Sequence, residues 1–461
     1  MGVTPTRRLY GVLAGGGAIA IALTSQFATL SYAILPTAVL PDASTPISLS
    51  TILLGMLAFD GVILGFMLLD SVLTRSRRAT VVRETLHRLS IGRDNAVTLS
   101  VTADKVPADV LIYDSYPDAF DELLMPLRVK VHPKQPQTVT YDVHPRQRGE
   151  FPWGDIQVRQ RGPLGLAWHS WKIASAQKVA VYPDLVGLRS LTVRLTLQST
   201  GSIRQRKRIG IGTEFAELRE YGIGDDPRFI DWKATARRSS PLVRVLEPER
   251  EQTLMVLLDR GRLMTAQVKG LSRFDWGLNS ALSLALAGLH RGDKVGIGVF
   301  DRTMHTWLPP TGGRPHLQHL IEKLTPIQPV LLESDYLGAV TQLATRQHRR
   351  ALVVVITDIV DTTASAELLA ALTRLKSRHL PFCVTLRDPQ VDHQAHTFDA
   401  NVAPDVDVAY SRAVALDLLA QRQTAFARLK QSGVLVLDAP ADQISEPLVD
   451  DYLRIKLKNR L

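Results

Sequence analysis

Two long apolar runs near the start of the chain constrain its fold more than any other feature. No residue from Leu9 to Pro41 is charged, and the run from Ile47 to Leu69 contains a single charged residue, Asp60. A helix rises about 1.5 Å per residue, so about 20 apolar residues cross the core of a bilayer. The sequence therefore predicts a hairpin of two transmembrane helices, at about residues 9–35 and 48–70, within an N-terminal region of residues 1–78.

Asp60 lies at the centre of the second run, where a carboxylate costs about 3 kcal/mol to insert. Eleven Leu, Ile, Val or Phe residues between Ser50 and Leu69 offset this cost by roughly 0.3 to 0.6 kcal/mol each. We expect this helix to span the membrane, with Asp60 either hydrogen-bonded to the first helix or a partner, or present as a tolerated protonated acid. Small-residue spacing favours close approach of the helices. The glycines concerned are Gly11, Gly15, Gly61 and Gly65.

Basic residues at the two ends of the hairpin predict its orientation. Five arginines stand there, whereas the connecting segment 36–46 carries only Asp42 as a charged residue. Because Lys and Arg favour the cytoplasmic side, both ends are expected in the cytoplasm. The predicted location is the bacterial inner membrane, with the soluble domains in the cytoplasm. The arginines are Arg7, Arg8, Arg75, Arg77 and Arg78.

Residues 79–190 contain short apolar or alternating segments separated by Pro, Gly and Asp. Such segments predict β-strands, and six or seven of them at this spacing are typical of a β-sandwich. No residue pattern here indicates catalysis, so the predicted role is a spacer that positions the following domain. The segments are VTLSV, ADVLIYD, LRVKVH, TVTYDV, DIQVRQ and KVAVYP.

From Thr253 the pattern changes to alternating strands and helices. This order predicts a parallel sheet covered by helices on both faces, a doubly wound domain over residues 252–440. A C-terminal helix with a basic tail follows over residues 441–461. The predicted strands are TLMVLLD, KVGIGVFD, ALVVVITD, LPFCVTLRD and VLVLDAP, and the helices are Trp276–Leu289, Pro315–Leu324, Ala364–Ser377 and Leu418–Lys430.

Between these domains lies a charge-dense segment, residues 215–238, in which five basic and five acidic residues surround four aromatic ones. A solvated face rarely holds so many aromatic residues, and a nucleic-acid surface needs an excess of Lys and Arg. The pattern predicts a semi-buried ion-pair network at a domain junction, structural or partner-docking, with a ligand site as the alternative. Its nominated residues are Phe215, Arg219, Tyr221, Gly224, Asp225, Asp226, Arg228, Asp231, Trp232, Lys233 and Arg237.

The local structure of the charge-dense segment is predicted as two helices followed by a strand. Thr213 caps a helix over residues 214–221, which glycine then ends. Asp226 caps a second helix that runs towards Arg237. Residues 241–246 return as a strand.

The string LREYGIGDDPRFIDWKATAR, with VYPDL before it and TLMVLLD after it, resembles the signature of bacterial domain-of-unknown-function family fifty-eight, which includes the YeaD-like proteins. Residues 191–251 correspond to that signature segment. The strings HPRQRGE and GPLGL also resemble the family, which implies a fibronectin- or immunoglobulin-like module over residues 79–190. Family members are typically found alongside MoxR-type AAA+ ATPases, so the resemblance implies such an ATPase as the partner.

The strand TLMVLLD, the later ITD and the helix YLGAVTQL resemble a von Willebrand factor A-like domain. That resemblance implies one divalent cation held by an Asp-x-Ser-x-Ser loop, a Thr from a second loop and an Asp from a third. Here Asp259 opens the first loop, but Gly261 and Leu263 stand where the two hydroxyl groups are expected. Arg260 and Arg262 add positive charge to the same loop.

Other oxygen donors could complete this degenerate site. Ser334 or Asp335 could replace the Thr, and Asp358 is retained at the end of a later strand. Mg²⁺ requires near-octahedral oxygen ligands, which these side chains supply only with several waters. The alternative is that Asp259 and Asp358 accept hydrogen bonds from loop amides or pair with the loop arginines.

These features favour a membrane-anchored, cytoplasm-facing adaptor that works with a MoxR-type AAA+ ATPase in the assembly or maturation of envelope or enzyme complexes. The alternative is a metal-assisted hydrolase that uses Asp259 and Asp358. A net charge of +10 suits a protein beside an anionic leaflet. Its basic clusters lack interleaved aromatic residues, so no nucleic-acid partner is expected and no catalytic residue is nominated.

Overall fold

The computed structural model describes residues 2–33, 49–86, 88–104, 106–121, 125–206, 214–238, 240–247, 252–359, 366–396 and 406–457. The chain divides into two compact units. The first unit comprises Met1–Leu89, Arg93–Pro145 and Glu150–Val181. The second comprises Ser90–Gly92, Arg146–Gly149 and Tyr182–Leu461.

The first unit opens with a short strand and two long helices, β1 (Gly2–Pro5), α1 (Arg7–Ala33) and α2 (Leu49–Arg75). Among the described residues, one helical stretch is long and apolar enough to cross a membrane, Leu53–Ser76. The other run, predicted to span at residues 9–35, is helical from Arg7 to Ala33. Its insertion into a membrane stays a prediction.

Helices α1 and α2 pack against each other through Gly16. A Cβ at this position would lie 2.5 Å from Cε1 of Phe59, so the close approach requires glycine. The small-residue prediction selected the wrong positions, because Gly16 turns towards α2 whereas the four nominated glycines face open space. Those four are Gly11, Gly15, Gly61 and Gly65.

The strands that follow in the first unit form three sheets. The strands are β2 (Thr80–Arg83), β3 (Leu89–Ser90), β4 (Asn95–Thr102), β5 (Ala108–Asp114), β6 (Leu127–Val131), β7 (Gln137–Val143), β8 (Gly149–Trp153), β9 (Ile156–Arg161), β10 (Ala167–Ile173) and β11 (Gln177–Tyr182). Five strands form an antiparallel sheet in the order β1-β10-β9-β5-β6. The other two sheets have three strands each, in the orders β2-β4-β7 and β3-β11-β8.

All six predicted strands are present, as β4, β5, β6, β7, β9 and β11. Alternate residues of each point inwards, as Val110 and Ile112 do in β5, and this period of two is what the sequence displayed. Strand β10 escaped prediction because its inward positions include the polar His169 between Ala167 and Trp171.

A buried ion pair between Arg83 and Asp114 joins strands from two of these sheets. Nε of Arg83 donates to Oδ2 of Asp114 at 3.0 Å, and the guanidinium also donates to two backbone carbonyls. The hydroxyl of Tyr141 at 2.6 Å and Nε1 of Trp153 at 3.1 Å donate to the same carboxylate. Burial, with Asp114 alongside, raises the pKa of Tyr141 far above its usual value. These partners satisfy both oxygens of the buried Asp114 carboxylate, so the ion pair is buried without an unpaired charge.

The second unit alternates helices and strands. Its described helices are α3 (Leu185–Arg206), α4 (Trp232–Thr235), α5 (Arg273–His290), α6 (Arg314–Leu324), α7 (Tyr336–Arg346), α8 (Ala366–Leu375), α9 (Pro389–His396), α10 (Val406–Gln431) and α11 (Ser445–Leu457). Its described strands are β12 (Glu214–Glu220), β13 (Leu242–Glu247), β14 (Thr253–Asp259), β15 (Gln267–Val268), β16 (Leu271–Ser272), β17 (Lys294–Phe300), β18 (Met304–Thr311), β19 (Leu352–Thr357), β20 (Leu380–Arg387) and β21 (Leu435–Pro440).

Six of these strands form a sheet in the order β18-β17-β14-β19-β20-β21. Five run parallel, and β18 pairs antiparallel at one edge. The predicted parallel strands are all present, because a strand buried on both faces is a nearly continuous apolar run, as in β19. Strand β18 was not predicted, since it contains Pro309 and Pro310, which an edge strand tolerates and an inner strand does not.

Helices cover both faces of this sheet. Leu254, Val256 and Leu258 of β14 pack with α5, α6 and α11, whereas Met255 and Leu257 pack with α7, α8 and α10. The predicted doubly wound arrangement therefore exists in the second unit. It brings the carboxyl ends of the parallel strands to one edge, where ligands bind in open sheets of this kind.

Candidate docking hairpin and the carboxyl end of the sheet

The charge-dense segment begins as a β-hairpin, so the helix predicted over residues 214–221 is wrong. Strand β12 pairs antiparallel with β13, with Arg219 opposite Val243. Pairing with a strand rich in β-branched residues outweighs the helix preference of Glu and Leu in β12. The return strand predicted at residues 241–246 is confirmed as β13. Thr213, the predicted cap, lies outside the described residues.

The chain between the two strands contains a 3₁₀ turn, Pro227–Phe229. Asp226 caps this turn by accepting from the backbone nitrogen of Arg228 at 3.0 Å, which confirms the predicted cap. The predicted continuation to Arg237 is wrong, because Ile230 adopts an extended conformation that ends the turn.

A second short turn, α4, has a cap of its own. Asp231 accepts from the backbone nitrogen of Ala234 at 3.0 Å. Thr235 ties this turn to β13 by accepting from the backbone nitrogen of Leu242 at 3.0 Å. Gly224 has a φ of 100°, a conformation that glycine adopts without strain. Local hydrogen bonds therefore define the path of the chain from β12 to β13.

Ion pairs hold this hairpin at its surface. Both Nη groups of Arg219 donate to Asp225, at 2.8 and 2.5 Å, and Arg228 pairs with Asp226 at 2.7 Å. Hydrogen bonds from these arginines lower the pKa values of both carboxyl groups. The side chain of Arg228 is 87% exposed, whereas that of Asp225 is only 19% exposed, so the acids of the expected semi-buried network are partly buried but the guanidinium of Arg228 faces solvent.

Several apolar and basic side chains of the charge-dense segment are exposed to solvent. Trp232 is 70% exposed, and Ile223 is fully exposed. Tyr221 is exposed too, although its hydroxyl donates to the carbonyl of Asp225 at 3.2 Å. Phe215 lies in β12, and its side chain is outside the described part. Basic side chains that have no ion-pair partner among the described residues are Lys233, Arg237 and Arg238.

Asp259 lies at the carboxyl end of β14 and is buried. Its Oδ1 accepts from the backbone nitrogen of Gly261 at 2.7 Å and from Ser334 Oγ at 2.5 Å. Its Oδ2 accepts from Thr357 Oγ1 at 2.7 Å and from the Tyr336 hydroxyl at 3.0 Å. Burial raises the pKa of Asp259, and the four hydrogen bonds oppose that shift.

Asp358 follows β19 and is held between two arginines. Its Oδ2 accepts from Arg273 Nη1 at 2.7 Å, and its Oδ1 accepts from Arg422 Nη1 at 2.7 Å. The backbone nitrogen of Ile359 also donates to Oδ1, at 2.8 Å. Burial disfavours the charge of Arg422, but the neighbouring carboxylates outweigh burial and raise its pKa.

The remaining candidates for the metal site have structural partners of their own. Ser334 donates to Asp259, whereas Asp335 caps α7 by accepting from the backbone nitrogen of Gly338 at 2.7 Å. A Cβ on Gly261 would lie 2.0 Å from Ser334 Oγ, so Ser334 fills the space that a loop hydroxyl would need.

The arginines of the first loop do not pair with Asp259 or Asp358. Arg260 pairs with Asp301 at 2.7 Å, and Arg262 pairs with Glu333 at 2.7 Å. That part of the expectation is wrong, because the loop directs both guanidiniums towards other acids. The hydrogen bond from the Gly261 amide to Asp259 follows the alternative instead.

The donor set at this edge does not fit the divalent cation that the von Willebrand factor A-like resemblance implies. The charge of Asp358 is already matched by two guanidiniums, which also repel a cation. Both oxygens of Asp259 accept hydrogen bonds from protein donors. Within the described ranges, no three His, Cys, Asp or Glu side chains come together to hold a metal. The hydrolase alternative therefore gains no support from the geometry.

Sequence reasoning missed Arg273, Arg422 and Asp438 at this edge. Asp438 lies in β21 and accepts from Arg422 Nη2 at 2.8 Å. It comes near the end of an apolar run, as Asp259 and Asp358 do, so the same signal could have found it. No local signal marks either arginine, because the helices that carry them reach the edge only in the folded unit.

Asp60, the acid predicted within the second apolar helix, is half-buried on α2. No hydrogen-bond partner of its carboxyl group lies within reach among the described residues. Asp70, ten residues further on, is fully buried and accepts backbone hydrogen bonds from the loop before β10. The predicted role of Asp60 in helix contact or partner binding stays a prediction.

The fold and these sites define a protein with an apolar helix, a β-sheet unit, and a doubly wound unit that carries an exposed, charged hairpin. Residues 217–395 match the model of the family described as Protein of unknown function DUF58. This region of the chain is similar to that family, and the resemblance carried by the charge-dense segment is confirmed.

Two relatives illustrate the extent of the similarity. An uncharacterized protein of Mycobacterium tuberculosis is 25% identical over 183 residues, which cover 39% of this chain and 57% of the relative. The uncharacterized protein YeaD of Bacillus subtilis is 25% identical over 196 residues, which cover 41% of this chain and 46% of YeaD. The chain thus spans about half the length of the relatives that it matches.

Two solved structures are similar over the length of their own chains. One is an aerotolerance-related membrane protein from Bacteroides fragilis, with 15% identity, a TM-score of 0.29, and coverage of 44% of this chain and 99% of that one. The other is BatB from Bacteroides thetaiotaomicron, with 15% identity, a TM-score of 0.29, and coverage of 45% and 99%. Scores this low assign neither the fold nor the function.

Proposed function

We propose that this protein is a membrane-anchored, cytoplasm-facing adaptor whose hairpin docks a MoxR-type AAA+ ATPase in the assembly or maturation of envelope or enzyme complexes. The observation that carries the proposal is Trp232, 70% exposed in a segment whose basic residues Lys233, Arg237 and Arg238 have no ion-pair partner among the described residues. Burial of an exposed Trp in a partner's pocket is the typical origin of binding energy at an interface. The positive charges of Lys233, Arg237 and Arg238 favour an acidic rim around that pocket.

The hairpin is ordered before any partner arrives. Its ion pairs, Arg219–Asp225, Arg228–Asp226 and Arg244–Asp231, and its two capped turns hold the path from β12 to β13, so Trp232 is presented from a defined backbone. Pre-organisation of this kind lowers the entropy lost on binding. The segment also contains no Cys or His, so its hydroxyl groups, Tyr221 and Thr235, have no His within the segment to activate them.

The contacts of α1 and α2 support the proposed membrane anchor. Thr6, next to the start of α1, donates through Oγ1 to the carbonyl of Gly165 at 2.7 Å. Asp70, near the end of α2, accepts from the backbone nitrogen of Leu164 at 2.8 Å. Both ends of the helical pair therefore reach one loop, as two crossings with both ends on one side require. The flanking arginines favour the cytoplasm as that side.

The sheet order supports a von Willebrand factor A-like fold for the second unit. When the six strands of this sheet are numbered 1 to 6 in chain order, starting with β14, they lie in the order 3-2-1-4-5-6, and strand 3, which is β18, runs antiparallel at the edge. We infer that this domain serves partner recognition without a bound cation, because guanidinium groups already match the acid at its carboxyl edge.

Co-purification from the native host tests the docking proposal. Tagged full-length protein is solubilised in detergent, with and without ATP, and its partners are identified by mass spectrometry. We expect a MoxR-type ATPase with the wild-type protein and its loss with Trp232→Ala plus Arg237→Glu. The control is Arg189→Glu, an exposed charge reversal on α3, which should retain the ATPase. Absence of any AAA+ ATPase from the wild-type preparation contradicts the proposal.

Protease accessibility tests the anchor separately. Protease added to intact spheroplasts should leave both compact units whole, and lysis should expose them. Digestion before lysis would place the units outside the cytoplasm and end the proposal of a cytoplasm-facing adaptor.

A further inference from the structure

A chain of alternating charges crosses the carboxyl edge of the doubly wound sheet. Three arginines and four aspartates take part, from the ends of β19, β20 and β21 and from α5, α9 and α10. In order along the edge they are Asp388, Arg273, Asp358, Arg422, Asp438, Arg387 and Asp392.

Arg422 occupies the middle of this chain. Its Nη1 lies 2.7 Å from Asp358 Oδ1, and its Nη2 lies 2.8 Å from Asp438 Oδ1. Asp358 follows β19 and Asp438 belongs to β21, with β20 between these strands. One guanidinium thus bridges two acids from strands that do not touch each other. It is buried, and it also donates to the carbonyl of Ile359.

The two acids have further partners besides Arg422. Arg273 Nη1 donates to the second oxygen of Asp358 at 2.7 Å. Thr385 Oγ1 donates to Asp438 at 2.8 Å, and Arg387 Nη1 lies 3.2 Å from its second oxygen. Each carboxylate is therefore paired on both oxygens by protein groups.

Two buried carboxylates on neighbouring parts of one edge need a positive charge between them. A divalent cation supplies that charge where oxygen ligands surround it. A guanidinium supplies it through a planar fork of donors, whose geometry matches two carboxylates at once. The contacts of Arg422 on Asp358 and Asp438 are of the second kind.

We propose that Arg422 is the resident cation of this edge: its guanidinium takes the place of a divalent ion between Asp358 and Asp438. The stability of this edge is then independent of divalent metal, and the two acids form a latent cation site that opens only when the guanidinium is removed. This inference stands apart from the docking hairpin and from the identity of the ATPase.

The wild-type protein gives the first test. Solubilised full-length protein is unfolded by heat after treatment with EDTA and again with millimolar Mn²⁺ or Mg²⁺, and bound Mn²⁺ is measured by electron paramagnetic resonance. We expect the same Tm in all conditions and no stoichiometric Mn²⁺ binding. A Tm that falls with EDTA and returns with Mg²⁺, together with loss of that effect in Asp259→Ala, overturns the proposal.

The variant Arg422→Ala gives the second test. Its Tm should fall, because Asp358 and Asp438 lose their common partner, and Mn²⁺ or free guanidinium should raise it again by binding the folded state. The double variant Arg422→Ala with Asp358→Asn should lose most of that rescue. Arg260→Ala is the matched control, since it removes a guanidinium from a single acid, Asp301, and should gain nothing from metal.

Each outcome for Arg422→Ala decides the proposal. If the variant folds and neither ion raises its Tm, or if Arg260→Ala is rescued equally, the guanidinium does not hold a cation position. If the variant does not fold alone, recovery of folded protein on adding Mn²⁺ or guanidinium supports the proposal, and failure of both ions overturns it. Arg422→Lys checks geometry: one ammonium cannot bridge both acids, so we expect an intermediate Tm.

Discussion

The carboxylate of Asp70 fills the space beside Gly162, where a Cβ would lie 2.2 Å from Oδ2 of the acid. Asp70 is fully buried near the end of α2. Its Oδ1 accepts from the backbone nitrogen of Leu164 at 2.8 Å, and its Oδ2 from that of Leu166 at 2.9 Å and from one further amide. The segment GPLGL therefore forms a cradle for one helix carboxylate.

Replacement of Asp70 by Ala should lower the free energy of unfolding of the first unit. Three backbone N–H groups would lose their acceptor, and an unpaired buried donor costs about 1–3 kcal/mol. Gly162→Ala should act in the same direction, since its methyl group displaces the acid. Thermal unfolding in detergent measures both. Asp60→Ala is the control, because Asp60 is only half-buried, and an equal loss there would contradict the cradle.

Arg148, within the HPRQRGE string, is buried in the second unit against Asp275. Its Nε lies 2.5 Å from Oδ1 of this acid, and its Nη groups donate to the carbonyls of Thr325 at 3.1 Å and Ile327 at 2.9 Å. Asp275 in turn completes the capping box of α5 with Ser272. Arg148 thus pairs with the acid of the capping box at the start of α5 and donates to backbone carbonyls of the chain that follows α6.

Arg148→Ala should therefore destabilise the second unit strongly, by about 3–5 kcal/mol, since breaking a buried pair leaves a buried charge. Arg148→Lys should recover little, because a single ammonium cannot reach the acid and both carbonyls. Denaturant unfolding of the solubilised protein measures these losses. Arg128→Ala, which removes an exposed pair with Asp109, is the control and should cost under about 1 kcal/mol. Similar losses for the two variants would refute a special role of Arg148.

The strands of both units could be predicted because each displays its burial in its own residues. Strand β19 is apolar throughout, and β5 alternates, so each pattern follows from the number of buried faces. The cap at Asp226 was equally readable, since a short acid before Pro227 suffices to start a turn.

The rest depended on contacts between distant residues. Strand β12 pairs with a strand more than twenty residues away. Its own residues, which include Glu and Leu, favour a helix, so the strand could not be predicted without knowledge of that partner. Arg422 approaches Asp358 from a helix that lies 64 residues further along the chain. Asp70 appeared as an ordinary polar residue after an apolar run, and only the folded loop gives it three donors.

The stability of the second unit should fall as pH falls through about 6.5, the usual pKa of His in an unfolded chain. Burial, with Arg378 nearby, lowers the pKa of His379, and neither ring nitrogen has a hydrogen-bond partner in the described part. Between the two pKa values the unfolded state binds more protons than the folded state, so acid favours unfolding. The slope of the unfolding free energy against pH is proportional to the number of protons taken up on unfolding, and His379→Gln should reduce that number by up to one.

Denaturant unfolding between about pH 7 and pH 5, the range in which His titrates, measures this slope. His290 of the second unit, whose pKa burial also lowers, remains in the variant, so the slope should shrink but not vanish. His348→Gln, at an exposed position, should leave the slope nearly unchanged. Equal slopes for wild type and His379→Gln would contradict the prediction.

Restoring a hydroxyl to the first loop should not create a cation site. In Gly261→Ser the new Cβ would lie 2.0 Å from Ser334 Oγ and 2.7 Å from the carbonyl of Leu332, so we expect a loss of about 1–3 kcal/mol from overpacking. Adding Ser334→Ala removes the nearer clash and should recover part of that loss. Thermal unfolding with and without Mg²⁺ checks both points, with Gly312→Ser as the control, since a Cβ there meets nothing nearer than 3.8 Å. A gain in Tm with Mg²⁺ in Gly261→Ser would show that the missing hydroxyl, and not the paired state of Asp259 and Asp358, keeps metal from this edge.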